Sequence, residues 1–241
     1  AVRPDILVGV EVENRPTLER FNEQVLGAQF QCAYPHVMVI DGNDERGIDL
    51  GLLSRLPIES MRSHVDEPGI GGRRLFSRDA PEYDLLLPAG ERIVVVANHL
   101  KSKRNGDDQV SFDLRTAQAT AAHLIALGAL GRTPFVVVAG DMNDTPHSAA
   151  LADLFADGFQ DICCHASYPA DRPGTYETGL ASHKLDYLIL SPELQALLQK
   201  TGIERRGSYH PRTWPAFDTV TSAAAEASDH HMIWADFAFD R

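Results

Sequence analysis

Phe135-Val136-Val137-Val138-Ala139-Gly140-Asp141-Met142-Asn143-Asp144-Thr145-Pro146 is a run of apolar residues that stops abruptly in a polar turn. The first five residues read as a buried strand, bounded by glycine and proline. In extended backbone, residues two apart project to the same side, so Asp141 and Asn143 can face one site together. A carboxylate beside an amide oxygen suits a hard cation such as Mg²⁺, or orients a nucleophilic water. The same residues also make a good turn, since Gly, Asn, Asp and Pro are favoured there for conformational reasons alone. On this stretch by itself the two readings stand level.

Moving outward, other apolar strands stop in the same way. Glu11 and Glu13 follow residues 6–10, and Asn98 and His99 follow residues 93–97. Asp186 sits at the entry to residues 185–190, while Asp229, His230 and His231 precede residues 232–234. Surface loops are often polar, so one such cluster carries little weight. Several clusters of oxygen ligands and imidazoles at strand ends point to a shared cleft.

Each residue also has a plainer reading. Glu11 directly follows a buried strand, where a carboxylate is costly unless paired or bound to metal. Its alternative is a partner for the dipole of the following helix, a role Glu13 suits better. His99, in Asn98-His99-Leu100-Lys101-Ser102-Lys103, can act as an acid or a phosphate donor because its charge changes near neutral pH. Lone histidines at strand ends are more often structural, and lysine runs are often solvated surface. His230 and His231 point to opposite faces if they lie in a strand, so only one can enter a cleft. A general base needs a partner for its second ring nitrogen, and Asp186, on another strand end, is the candidate.

The remaining pattern alternates short apolar runs with helical stretches. A helix follows residue 14, with Pro16 near its start and Gly27 past its end. Residues 37–40 and 48–53 read as strands, 83–87 with 93–97 as a hairpin, 112–127 as a helix, and 192–200 as a short helix between strands 185–190 and 232–239. Residues 63–74 and 205–225 are loop-like. Mixed hairpins and helices favour a mixed sheet in one α/β domain over residues 1–241.

Composition narrows the function classes. The 241 residues are 44% hydrophobic and 23% charged, enough for a core and close to average for globular proteins. The net charge of −12, from 34 acids against 22 bases, argues against a protein that coats DNA. No stretch is long and apolar enough to span a bilayer, and the start does not resemble a signal peptide. Localisation stays open between cytoplasm and secretion, because any signal would lie upstream. Cys32, Cys163 and Cys164 offer neither a disulfide framework nor zinc-ligand spacing.

Taken in order, these motifs resemble the endonuclease/exonuclease/phosphatase superfamily, the group of deoxyribonuclease I and exonuclease III. Val10-Glu11-Val12-Glu13-Asn14, Gly47-Ile48-Asp49-Leu50-Gly51-Leu52-Leu53-Ser54-Arg55, Asn98-His99-Leu100-Lys101-Ser102-Lys103, Gly140-Asp141-Met142-Asn143, Leu185-Asp186-Tyr187 and Ser228-Asp229-His230 carry it. The resemblance implies two packed mixed β-sheets flanked by helices, a four-layer α/β sandwich. It implies that Glu11 and Asp229 bind Mg²⁺ or Mn²⁺, that His99 contacts the phosphate, and that Asp141 and Asn143 position the water and the transition-state phosphate. His230 with Asp186 becomes the base pair. The family's first strand, which ends in an asparagine of the metal site, has no counterpart before Glu11. A chain truncated there would expose the edge of residues 6–10 and self-associate through it.

The reading that follows is a nuclease or related phosphodiesterase acting on DNA or RNA. A lipid or inositol-phosphate esterase of the same fold, and a non-catalytic binding domain, are the alternatives.

Overall fold

A computed structural model describes residues 2–103, 106, 108–209 and 212–239. Among the described residues eleven strands run in chain order: β1 (Ile6–Val12), β2 (His36–Ile40), β3 (Asp49–Ser54), β4 (Ile58–Arg62), β5 (Glu82–Leu86), β6 (Arg92–His99), β7 (Phe135–Asp141), β8 (Gln160–Asp161), β9 (Asp186–Leu190), β10 (Leu198–Glu204) and β11 (Met232–Phe237). The α-helices are α1 (Arg15–Arg20), α2 (Gln109–Leu130) and α3 (Pro192–Ala196).

The valine-rich β6 and β7 lie at the centre of a six-stranded sheet ordered β4-β5-β6-β7-β9-β8. They pair in parallel, and the other neighbours are antiparallel, so the sheet is mixed. Parallel strands need a crossover, and α2 supplies it. Its alanines Ala119, Ala122, Ala126 and Ala129 are buried against Val94, Val96, Val136 and Val138. The opposite face of the same sheet packs Val95, Ala97, Val137 and Ala139 against Leu50 and Leu52 of β3. Alternate residues of one strand therefore feed two cores, which is why β6 and β7 read as continuous apolar runs.

The second layer comes in two antiparallel pieces, β1-β3-β2 and β10-β11. With helices outside the sheets, the architecture is the expected α/β sandwich. One edge of β1 and one edge of β11 have no strand partner among the described residues. A cavity of about 1380 Å³ lies between them, lined by Ile6, Leu7 and Val8 on one side and Ile233, Trp234 and Ala235 on the other. No helix of the described residues is long and apolar enough to cross a membrane.

Three local expectations need correction. The helix expected over 192–200 stops at Ala196, and Leu198–Glu204 is a strand because it pairs with β11. The helix after residue 14 is α-helical only to Arg20 and widens into a π-helical turn over Phe21–Gly27. His230 and His231 precede β11 and do not lie in it. Of the second loop, His210 and Pro211 fall outside the described residues.

Candidate active site

The parallel pair β6–β7 brings His99 and Asp141 level, since they are register partners at the strands' C-terminal ends. The antiparallel pair β7–β9 sets Asp186 opposite Asp141. Three of the expected residues are thus placed by sheet register alone. Gly140 makes this convergence possible: at φ 137° a side chain is disfavoured, and a Cβ there would lie 1.9 Å from the Asn98 carbonyl oxygen. Beyond the strand, Asn143 takes a left-handed conformation with φ 53°, which asparagine tolerates. Its backbone N–H donates to Asp141 Oδ1 at 2.8 Å, and its side-chain amide donates to the Leu100 carbonyl at 3.1 Å.

His230 arrives from the other layer. The segment around Thr175 is bridged to the residues before β11, since the His231 N–H donates to Thr175 O at 2.6 Å. This sets the Tyr176 ring 4.9 Å from the His230 ring. His230 Nδ1 stands 2.8 Å from Asp186 Oδ2, and the same carboxylate oxygen accepts from Thr175 Oγ1 at 2.6 Å. Burial opposes the imidazolium of His230, but Asp186 outweighs it and raises the pKa to about 9. His231 is turned away and buried, with Nδ1 2.9 Å from Ser208 Oγ and Nε2 3.0 Å from Glu177 O.

The electrostatics of the cleft are unbalanced. Asp141 is buried, and burial together with repulsion from Asp186 pushes it up to about 7. His99 is driven the other way, down to about 3, by burial and by the guanidinium groups of Arg78 and Arg46. At that value the ring is neutral at ordinary pH. Its Nε2 stands 3.7 Å from Asp141 Oδ2, too far for a hydrogen bond. Its Nδ1 is buried without a partner. An orphaned ring nitrogen inside a cleft is a group held for a ligand or a water.

Arg46 and Arg78 were not anticipated from the sequence. Both are held by Asp44, which their charge and hydrogen bonds lower to about 2, Arg46 first. Arg46 grips it with two nitrogens, at 3.1 and 3.0 Å. Arg78 Nε is 2.8 Å from Asp44 Oδ2 but off the line a hydrogen bond needs, so the pair is ionic only. Arg78 is buried in Leu75-Phe76-Ser77-Arg78-Asp79, and nothing in that string separates it from an ordinary loop arginine.

Glu11 sits at a bulge where β1 slips against β3 between Val10 and Val12. Its φ of 59° is uncommon for a side chain this long and marks a strained, exposed position. Its charge is felt by Asp141, Arg46 and Arg78. Asp229 is exposed, next to His230, and its carbonyl accepts from the Glu177 N–H at 3.0 Å. Among the described residues no three acids, histidines or cysteines form a metal cage. The donors nonetheless suit Mg²⁺, which keeps several waters and takes only one or two carboxylates. Burial and the repulsion from Asp186 that raise Asp141 are effects a hard cation would oppose.

Comparison with known proteins agrees with this fold. The profile of the Endonuclease/Exonuclease/phosphatase family matches residues 1–230. Among solved structures, beta toxin from Staphylococcus aureus superposes with a TM-score of 0.67 at 14% identity, over 97% of this chain and 87% of that one. Truncated TDP2 from Caenorhabditis elegans gives 0.61 at 17%, over 95% and 82%. Sphingomyelinase C from Streptomyces griseocarneus gives 0.58 at 18%, over 97% and 83%. No match is found among the curated proteins.

Proposed function

The chain belongs to the endonuclease/exonuclease/phosphatase family, and from that premise we propose that it is a metal-dependent phosphodiesterase, with nucleic acid as its first candidate substrate. Members of the family generally hydrolyse phosphate esters. The observation that carries the reading is the Thr175–Asp186–His230 chain beside the buried Asp141. Asp186 fixes Nδ1 of His230, leaving Nε2 as the nitrogen that can take a water's proton once the ring, whose pKa is raised to about 9, has given up its own. Asp141 and Asn143 orient that water and the phosphate oxygens. His99 donates as a neutral imidazole, and Arg78 and Arg46 add positive charge where negative charge gathers.

Glu11 and Asp229 are the ligands we assign to Mg²⁺ or Mn²⁺, whose bound charge offsets that of the phosphate. The open edges of β1 and β11 are the surface we assign to self-association; a sedimentation coefficient unchanged across a dilution series would remove that assignment.

A substrate panel tests the function: plasmid DNA, single-stranded DNA, RNA, sphingomyelin, inositol phosphates and bis-p-nitrophenyl phosphate, each with Mg²⁺, Mn²⁺ or a chelator. Cation-dependent hydrolysis of the nucleic acids is expected. Turnover of the lipid or inositol esters alone would move the substrate class, and turnover in chelator would remove the metal assignment. No hydrolysis of any ester would favour a binding domain.

A further inference from the structure

Two loops carry much of the proposed site, the one that leaves β6 at His99 and the one that leaves β7 at Asp141. Sheet register aligns His99 with Asp141, but it ends there. Beyond it the loops are tied to each other by Leu100 N–H donating to Asp141 O at 2.9 Å and by Asn143 donating to Leu100 O. The first ends on the last residue of β7 and the second joins one loop to the other, so past Met142, whose N–H donates to Leu185 O at 2.8 Å, neither fixes where the Asn143 loop goes. Asn143 holds a left-handed backbone, so its direction depends on whatever anchors the residues on either side.

That anchor is buried. Asp144 is 1% exposed, and Arg115 of α2 is fully buried. Arg115 Nε donates to Asp144 Oδ2 at 2.8 Å, and its Nη1 donates to Lys101 O at 3.1 Å. One guanidinium therefore grips both loops. One turn further along α2, Gln118 Oε1 accepts from the Lys101 N–H at 2.8 Å, and its amide donates to Leu75 O at 2.9 Å. Asp144 is also bound by Lys103 and by the Thr145 N–H, and its carbonyl accepts from Tyr187 Oη at 2.7 Å. A planar guanidinium can serve two acceptors in fixed directions, which an ammonium cannot.

A fully buried ion pair is an uneconomical way to gain stability, because removing two charges from water offsets much of their attraction. Its geometry, by contrast, is well defined. We propose that Arg115 and Asp144 are positioning residues, a buried clamp on α2 that fixes the His99 loop and the Asn143 loop at the spacing the phosphate requires. Neither residue touches the substrate. The proposal rests on the phosphodiesterase reading for its catalytic consequence, but its structural claim stands apart from it.

The test uses Arg115→Lys and Arg115→Met in the full chain, read by amide hydrogen exchange, melting temperature and steady-state kinetics. The sensitive amides are Leu100 and Asn143, each bonded to Asp141; Val137, inside β7, is the reference. In Arg115→Met, exchange at Leu100 and Asn143 should rise by about tenfold over any rise at Val137. kcat should fall by about tenfold or more with KM within about twofold, because misplacement acts on the transition state. Arg115→Lys, which keeps the charge, should recover only part of either loss. Exchange rising equally at all three amides would overturn the proposal, since the pair would then serve only global stability. Unchanged exchange at Leu100 and Asn143 would overturn it as well. If the panel finds no hydrolysis, the exchange data still decide the clamp, and only the functional reading fails.

Discussion

Two regions gather the same ingredients, histidines among buried acids, and treat them in opposite ways. On the β4–β5 side, His64 lies 2.9 Å from Glu82 and 3.2 Å from Glu67. Arg132 bonds Glu82 and stands 3.3 Å from Asp84, which Arg62 reaches at 3.1 Å. Each of these acids has a cation beside it, and their pKa values move accordingly. Glu82 and Asp84 are pulled below the usual carboxylate range despite burial, and His64 is raised, chiefly by Glu82. At the C-terminal ends of β6 and β7 the balance is missing. Asp141 is pushed up to about 7 and His99 down to about 3, each away from its charged form. A cluster that satisfies itself is structure. A cluster whose buried groups are held away from their charged forms is the one we assign to the reaction.

Exchanging damage between the two regions gives the largest expected contrast. His230→Ala should lower turnover by on the order of a hundredfold or more, with Asp186→Asn close behind because the imidazole loses its orienting partner. His64→Ala should leave turnover within about twofold while lowering stability. Steady-state rates on the best substrate of the panel, beside melting curves, make the comparison. Equal losses of rate at His64 and His230 would erase the distinction between the clusters.

A smaller contrast lies within a single dipeptide. His231 is fully engaged with Ser208 and Glu177, and Trp214 packs at 5.7 Å from its ring. His231→Ala should keep most of the turnover and cost about 2 kcal/mol, since it removes the ring's bonds to the buried Ser208 hydroxyl and to the Glu177 carbonyl. For a chain of this size that is a fall of roughly 4–8 °C in Tm. A rate loss matching that of His230→Ala would show that the wrong ring was taken as the base.

The sequence made the strand ends readable because burial on both faces leaves apolar runs, and polar residues stand out where they stop. His99, Asp141 and Asp186 were therefore visible before their register was known. What it could not show was contact between distant segments. Thr175 matters only because its segment is bridged to His230, and Arg78 only because Asp44 lies beside it. Arg115 sits in an alanine-rich helix whose pattern is satisfied without it. β10 was missed for a related reason: Leu198–Glu204 lacks strict alternation, and its strand state comes from pairing with β11. β4, short and with exposed Glu59, Met61 and Arg62, carried too weak a period to mark an edge strand.

The smallest effect tests whether the balanced cluster really balances itself. The pKa of His64 in the folded protein lies above its ordinary 6.5, through hydrogen bonds to Glu82 and Glu67 that outweigh burial. Below 6.5 the imidazole is protonated whether the chain is folded or not, so its contribution is fully present there. As pH rises through the raised value the folded protein gives up the proton and the contribution is lost. Glu82 works in the opposite window: its lowered pKa gives stability above the ordinary value of 4.5 that is lost as pH falls through the folded one. The cluster should therefore be strongest between the two. His64→Gln keeps a polar side chain but cannot titrate, so it should melt lower than the parent below pH 6.5, by up to about 1 kcal/mol for a partly exposed pair. The gap should close on the alkaline side of the raised value. Melting curves of both proteins across that range read it directly. A gap that stayed constant with pH would mean that His64 is neutral in the fold, and that the arginines alone hold the acids of β5.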